Sequence, residues 1–347
     1  MQKIIDIRSD TKTKPTRAMY QAMLKAELGD EQNNEDPSVL KLQEMAAKIL
    51  GKEEAGLFVS SGTMGNLVAL MTHAQPGDSV IVESGCHMLR CEVGGISAVA
   101  GLMVEMIKGI QGVPDLEELE NAIMVEGRLF PTTKLICLEN THNSAGGTCI
   151  SPQQLKGIRT IADKYGIKIH IDGARIFNAA VALNVEPEKL VKDVDSLQFC
   201  LSKGLACPFG SVLVGSNAFI ETARKKRQML GGGMRQAGVM AAAGIVALEE
   251  MINRLKEDHE NAKILAEGLS ALGMKIDMST VQTNMVFFTV PEDMIEPSKL
   301  VEKLKEFGIL FGPPKGLNKE IRVVTHKDVF KEDILEVIEK VKQVIMI

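Results

Sequence analysis

Three short stretches of this chain carry residues fit for chemistry, and each follows an apolar run. In IHIDGAR, residues 169–175, a strand-like run ends in Asp172 and is followed by small residues and Arg175. A carboxylate at the carboxyl end of a buried strand faces the crevice where α/β proteins bind ligands; a helix cap or a structural ion pair with Arg175 is the plainer alternative. In LSKGLACPFGS, residues 201–211, Lys203 follows another strand pattern and lies among Ser, Gly, Ala and Pro. Desolvation there favours the neutral amine, the form that attacks a carbonyl to give a Schiff base; taken alone it reads more simply as a surface-loop lysine, as most lysines are. In SSGTMGN, residues 60–66, Ser61, Gly62 and Thr63 stand between a strand and a helix. Open amides at a helix start attract phosphate, glycine lets the backbone come close, and Thr63 adds a hydroxyl.

In chain order, a phosphate cradle, a strand-end carboxylate and a carbonyl-capturing lysine describe the protein contacts of pyridoxal phosphate (PLP). Asp172 would keep the ring nitrogen protonated, so that the ring draws electrons from a substrate carbanion, and Lys203 would hold the cofactor aldehyde. The spacing from 172 to 203 leaves room for one βα unit, which puts the two groups at neighbouring crevice positions. Neither G-x-x-x-x-G-K-[ST] nor a strand-led G-x-G-x-x-G occurs, which argues against a P-loop or an NAD-type dinucleotide fold. No metal site is expected.

These residues need a scaffold, and the pattern supplies one. Strands are predicted at 56–60, 79–82, 103–107, 134–139, 167–172, 196–200 and 211–214. Several are continuous Ile/Val/Leu runs, as strands buried on both faces should be. Helix signals fall between them: Ser151-Pro152 reads as an N-cap with Pro at the first helical position, and Pro114-Asp115 opens an acidic first turn. The alternation predicts an α/β fold, a mostly parallel sheet covered by helices. Ahead of it, residues 1–50 read as an arm with helices at 16–28 and 38–50 around a polar loop, a lid or interface piece. Residues 51–254 form the large domain. A long helical pattern runs from 233 to about 257, and residues 255–347 form a smaller α+β domain with a strand at 284–290. Its closing helix, from Lys327 onward, has apolar residues at 330, 334, 337 and 341, the spacing of one buried face.

Composition narrows the function. The chain has 347 residues, 45% apolar and 24% charged, with a net charge of -5 that offers no field for nucleic acid or an anionic membrane. With only 4% aromatic residues and no Trp, stacking platforms for single-stranded nucleic acid are scarce. The six cysteines include no C-x-x-C pair and read as reduced thiols, and the charged start MQKIIDIRSD resembles neither a signal nor a transit peptide. A cytoplasmic protein with no membrane span is expected. His73, His170 and His259 read as structural or solvated, and the run 224–227 as one solvated helix face rather than a nucleic-acid patch.

At this point the sequence resembles the threonine aldolases, fold-type I PLP enzymes grouped with the β-eliminating lyases. Matching stretches span nearly the whole chain: DIRSDTKTKPT, GDEQNNEDPSV, SSGTMGN, CHMLRCEVGG, ICLENTHNSAGGT, HIDGARIFNAA, LSKGLACPFGS, LGGGMRQ and IRVVTH. RSDT and LGGGMRQ are family motifs rather than general PLP ones. The resemblance implies Lys203 as the lysine that binds PLP, Asp172 as ring-nitrogen partner, Gly62 and Thr63 at the phosphate and His87 stacked on the ring. It further implies Ser9, Arg175 and Arg322 on the substrate carboxylate, His142 near the substrate hydroxyl, and Arg235 reaching the phosphate of a neighbouring subunit in a dimer or tetramer. Asn33, Cys91 and Gln228 depart from the family pattern, where Tyr, an aromatic residue and Lys are usual.

The activity so implied is retro-aldol cleavage of L-threonine or L-allo-threonine to glycine and an aldehyde. His87 and His142 are both candidates for the base that takes the β-hydroxyl proton. Another PLP-dependent lyase, an aminotransferase or a racemase is the alternative within enzymes. A non-catalytic binding protein is the alternative outside them, disfavoured by the presence of Lys203, Asp172 and both arginines.

Overall fold

The computed structural model describes residues 3–52, 56–125, 127 and 129–346; the first two residues of the predicted arm lie outside that set. In chain order the strands are β1 (Ile5–Asp6), β2 (Gly56–Val59), β3 (Ser79–Glu83), β4 (Met103–Ile107), the hairpin strands β5 (Gly109–Ile110) and β6 (Val113–Pro114), β7 (Thr133–Glu139), β8 (Lys168–Asp172), β9 (Ser196–Cys200), β10 (Ser211–Val214), β11 (Met285–Phe288), β12 (Ile309–Leu310) and β13 (Ile321–Val324). Seven of them form the main sheet in the order β2-β10-β9-β8-β7-β3-β4. From β9 to β4 all neighbours are parallel, while β10 runs antiparallel to both β9 and β2. The runs SVIVE, SLQFC and SVLV are buried at every position, so their uninterrupted pattern reflects helices on both faces.

Several helices of the arm and the large domain start at side-chain caps. α1 (Arg17–Leu24) is capped by Thr16 and α2 (Pro37–Ile49) by Asp36 with Pro at its first position. α3 (Gly62–His73) is capped by Ser61, and α4 (His87–Arg90) is a single turn. The helix Pro152–Tyr165 opens with the Ser151–Gln154 capping box and closes on Gly166 in the left-handed region.

Three elements differ from the sequence pattern. α1 ends at Leu24 rather than 28: the Lys25 amide turns back to the Ala22 carbonyl at 3.1 Å and closes the last turn, and the chain beyond is held elsewhere, with the Glu27 carbonyl accepting from the Ser38 hydroxyl at 2.8 Å. The helical pattern of 233–257 is broken. Gly238 starts the helix with its amide donating to Asp36 Oδ2 at 2.9 Å, the stretch Ala247–Met251 is a π-turn, and a new helix then runs Leu255–Ala271. Phe330, placed on the buried face of the closing helix, is 62% exposed at the position before that helix, while Ile334, Val337 and Val341 are buried as expected.

One hydrophobic core packs against the main sheet. A second joins Leu265, Leu269, Val286, Val323, Ile334 and Val337 with Ile5 and Ile7. Ile7 and Ile5 reach it because β1 pairs in parallel with β12, so the start of the chain is sewn into the C-terminal unit before it turns toward the large sheet.

Candidate active site

The site lies at the carboxyl ends of the parallel strands. Asp172 is the last residue of β8, in register with Glu139 at the end of β7 and Gln198 on β9. Its Oδ1 accepts from Gln198 Nε2 at 2.6 Å and from the Ala174 amide at 3.1 Å, and its Oδ2 from Asn66 Nδ2 at 3.0 Å. His87, which opens α4, has Nδ1 3.0 Å from Glu92 Oε1 and 3.8 Å from Asp172 Oδ2. The Glu92 hydrogen bond raises the His87 imidazole above its ordinary value against the opposing effect of burial. Glu139 accepts the His87 amide at 2.7 Å and the Asn143 amide at 2.9 Å; burial and the charge of Asp172 push its carboxyl up.

Lys203 stands three residues past β9, half-buried, with its carbonyl accepting from Thr13 Oγ1 at 2.9 Å, so the N-terminal arm passes directly over it. Across from it α3 begins. Ser61 Oγ accepts the Met64 amide at 3.2 Å, which leaves the amides of Gly62 and Thr63 without intrahelical partners. A Cβ added at Gly62 would stand 3.0 Å from Cys200 Sγ and 3.2 Å from Gln198 Nε2, so a larger residue there would press on the donor to Asp172. Ser61, Gly62, Thr63, His87, Asp172 and Lys203 line one cavity of about 200 Å³. Larger cavities of about 670 and 860 Å³ lie elsewhere, and neither brings a lysine, a strand-end carboxylate and a helix start together.

Beside this cavity two guanidinium groups approach one another. Arg175 is buried, donating from Nε to Asp10 Oδ2 at 2.6 Å and from Nη2 to Asp10 Oδ1 at 2.7 Å. Burial alone would raise the Asp10 carboxyl, but Arg175 outweighs it and holds it at about 2. Arg322 donates to Asn143 Oδ1 at 2.9 Å and to the Arg8 carbonyl at 3.4 Å; burial and the charge of Arg175 lower its pKa. Ser9 caps the turn that carries Asp10, its Oγ accepting the Thr11 amide at 3.2 Å. Two cations that disfavour each other's charge, with a single buried carboxylate between the arm and one of them, make a place for one more anion.

His142 is set deeper. It is 2% exposed; Nε2 is 2.8 Å from Glu83 Oε2, and the Ala145 amide donates to Nδ1 at 3.2 Å, so both ring nitrogens are engaged. Burial opposes its charge, but Glu83 prevails and raises its pKa. Gly112 lies against the ring face at φ +80, where any Cβ would overlap the imidazole. Arg235 is exposed and donates to Asp30 Oδ2 at 2.8 Å, outside the cavity of its own chain. Of the three departures from the family pattern, Cys91 is exposed on the side of Arg322, while Gln228 accepts from Gln32 Nε2 at 3.0 Å, and Asn33, the residue after Gln32, is exposed.

Sequence reasoning missed Glu83, Glu139, Gln198, Asn66, Glu92 and Asp10. The rule that drew attention to Asp172 would have found Glu83 and Glu139, which also end buried strands. Gln198 is a lone amide inside the apolar run SLQFC, and Asp10 lies in RSDT.

The residues fit PLP: open amides and hydroxyls for its phosphate, a buried acceptor for a protonated ring nitrogen, and an amine for its aldehyde. His87 Nδ1, Glu92 and Asp172 also lie within 4.8 Å of one another, a spacing that a metal ion could use. Their oxygens are already turned toward the donors Asn66, Gln198 and the Ala174 amide, which suits hydrogen bonding rather than coordination.

Comparison with known proteins agrees at two levels. Among solved structures, a threonine aldolase of Leishmania major aligns with a TM-score of 0.86 over 98% of this chain and 99% of its own, at 18% identity. A serine palmitoyltransferase of Sphingomonas wittichii aligns with a TM-score of 0.78 over 98% and 87%, at 17% identity. The architecture is therefore that of the fold-type I PLP-dependent enzymes. By sequence, the model of the β-eliminating lyase family matches residues 6–292, and the chain belongs to that family. Low-specificity L-threonine aldolase 1 of Arabidopsis thaliana is 47% identical over 95% of this chain and 93% of its own; low specificity L-threonine aldolase of Escherichia coli strain K12 is 40% identical over 96% and 97%.

Proposed function

We infer that this chain is a carbon–carbon lyase that uses PLP to cleave L-threonine, L-allo-threonine and related β-hydroxy-α-amino acids to glycine and an aldehyde. The observation that carries the reading is the single cavity lined by Lys203, Asp172 and the open start of α3, in a chain whose curated relatives are named L-threonine aldolases over nearly their full length. Bound PLP supplies an aldehyde for amines and a ring that takes up the electron pair released at Cα. Lys203 would hold the cofactor's aldehyde through its amine. The Gly62 and Thr63 amides, with the Ser61 and Thr63 hydroxyls, hold the phosphate at the positive end of α3. Asp172, kept in place by Gln198, Asn66 and the Ala174 amide, keeps a proton on the ring nitrogen.

Arg175, Arg322 and Ser9 bind the substrate carboxylate. By fixing that end they would select which bond at Cα is placed to break, a positioning effect worth several kcal/mol. The proton leaving the β-hydroxyl is assigned to His87, directly or through water. His87 lines the cavity and no hydrogen bond engages its Nε2 among the described residues, whereas both nitrogens of His142 are occupied.

The full reading has the site shared between copies of the chain, in a dimer or tetramer. It is supported by the exposed Arg235 and by the exposed apolar side chains Tyr20, Leu24 and Leu28 near the arm. Six unpaired cysteines suit a reducing, cytoplasmic setting, and no described helix is long and apolar enough to cross a membrane.

The test is to incubate PLP-loaded protein with L-threonine and, separately, with an amino acid and a keto-acid acceptor. Release of glycine with acetaldehyde is expected. Transfer of nitrogen to the acceptor as the main activity would overturn the reading, as would failure of borohydride to fix PLP onto Lys203.

A further inference from the structure

Behind Asp172 runs a series of buried polar side chains that the roles above leave unused. Asn66, on α3, donates through Nδ2 to Glu92 Oε1 at 2.8 Å and to Asp172 Oδ2 at 3.0 Å. Both partners are carboxylate oxygens and accept, so the amide cannot be turned the other way, and its Oδ1 faces His170 Nε2 at 3.2 Å. An amide oxygen only accepts; His170 therefore carries its proton on Nε2. Burial, with the nearby His73, drives the His170 imidazole down to about 3, so the ring is neutral and Nδ1 is bare. Ser196 Oγ, 2.8 Å from that nitrogen, must donate to it, and with its proton so placed it accepts from His73 Nε2 at 2.7 Å. His73 is the last residue of α3, stacked on Phe219 with ring centroids 4.5 Å apart, and burial holds it neutral as well, at about 4. The direction of every hydrogen bond from His73 through Ser196, His170 and Asn66 to Asp172 is thereby fixed.

We infer that His73, Ser196 and His170 are positioning residues for the reaction: the chain they form locks the Asn66 amide in one orientation and, through it, holds the Asp172 carboxylate toward the cofactor ring. The inference rests on Asp172 being the ring-nitrogen partner. It gives α3 two tasks, since the helix whose first amides face the phosphate also carries Asn66 and His73, and so sets both ends of the cofactor. Removing the Ser196 hydroxyl leaves His170 Nδ1 without a donor. His73 Nε2 loses its acceptor at the same time, so the His170 ring is no longer braced from that side and is free to tilt away from Asn66 Oδ1, which loosens the amide that holds Asp172.

The experiment follows the His170 tautomer by 15N NMR in histidine-labelled, PLP-loaded protein, for wild type, Ser196→Ala and Ser196→Thr. Wild type is expected to show a neutral Nε2–H tautomer from pH 5 to 8. Ser196→Ala is expected to move the His170 Nδ1 resonance to that of an imidazole nitrogen accepting no hydrogen bond, to retain PLP about tenfold less tightly, as loss of one buried hydrogen bond implies, and to shift the pH midpoint of the bound cofactor's visible absorption. Ser196→Thr, which keeps the hydroxyl, restores the wild-type Nδ1 resonance. An Nδ1–H tautomer in wild type overturns the inference, as does Ser196→Ala with Nδ1 resonance, PLP retention and absorption midpoint all unchanged. The wild-type tautomer decides even where Ser196→Ala does not fold. Failure of the PLP reading itself shows separately, as wild-type protein that takes up no PLP while its tautomer remains readable.

Discussion

Asp10 and Arg175 show how one residue prepares another. A buried guanidinium without a partner is costly, and the two hydrogen bonds from Nε and Nη2 to Asp10 fix its plane as well as its charge. Asn284 adds a weaker donation to the same carboxylate at 3.4 Å, and the Lys203 charge is felt there too. Asp10 thus links the N-terminal arm, the large sheet and the C-terminal unit at the point where a substrate carboxylate would arrive. Asp10→Asn keeps the shape but removes the charge, and leaves Arg175 buried without an anion. A loss of about 3–5 kcal/mol in unfolding free energy is expected, together with a raised KM for the amino acid as Arg175 loses its fixed orientation. Urea denaturation and steady-state kinetics on the same preparation check both. Stability within 1 kcal/mol of wild type and an unchanged KM would remove Asp10 from this role.

At the scale of elements, α3 is the piece on which most depends. Its cap takes the Met64 amide on Ser61 Oγ and leaves the Gly62 and Thr63 amides free, and Gly62 lets β9 come close enough for Gln198 to reach Asp172. Gly62→Ala would put a methyl against Cys200 Sγ and Gln198, so the expected result is a folded protein with PLP affinity weakened about tenfold or more, by analogy with loss of a buried hydrogen bond. PLP titration followed by absorbance measures it, and wild-type affinity in that variant would show that the close approach does not matter. Such elements were legible in the sequence to different degrees. Ser196–Cys200 and Ser211–Val214 appear with the bounds their composition predicts, because strands buried on both faces are nearly uninterrupted apolar runs, and Met103–Ile107 does so at the sheet edge, where Met103 and Met106 are exposed. The end of α1 and the start of the helix at Gly238 did not: α1 closes on a tight turn from the Lys25 amide to the Ala22 carbonyl, and the Gly238 amide is claimed by Asp36 from the far end of the sequence. The site was legible where a residue type was unusual for its place, as with Asp172 and Lys203. It was illegible where meaning comes from a partner across the fold: nothing local to His170 announces Ser196 and Asn66.

For the whole molecule, five histidines divide into two groups whose opposite shifts shape its stability. Burial lowers His73 to about 4, His170 to about 3, with His73 assisting, and His259 to about 4. In the unfolded chain each titrates near 6.5. Below that pH the unfolded state takes up protons that the fold refuses, so stability falls as pH falls, by up to about 1.4 kcal/mol per pH unit for each. His87 and His142 are shifted the other way, His87 chiefly by its hydrogen bond with Glu92, and His142 by Glu83 against the opposing effect of its burial. Their contribution is complete below about pH 6.5 and is lost as pH rises through their raised folded values. Asp10, held at about 2 by Arg175 against the effect of burial, stabilises the fold throughout this range and adds no slope within it. The two groups together place the maximum near pH 6.5, with a steeper fall on the acid side, where three histidines act, than on the alkaline side, where two do. Urea unfolding of cofactor-free protein at pH 5.0, 6.5 and 7.5 measures both slopes. A free energy that stays level from 6.5 down to 5.0 would mean that the buried imidazoles find protons in the folded state, which the one-way hydrogen bonding around His170 does not permit.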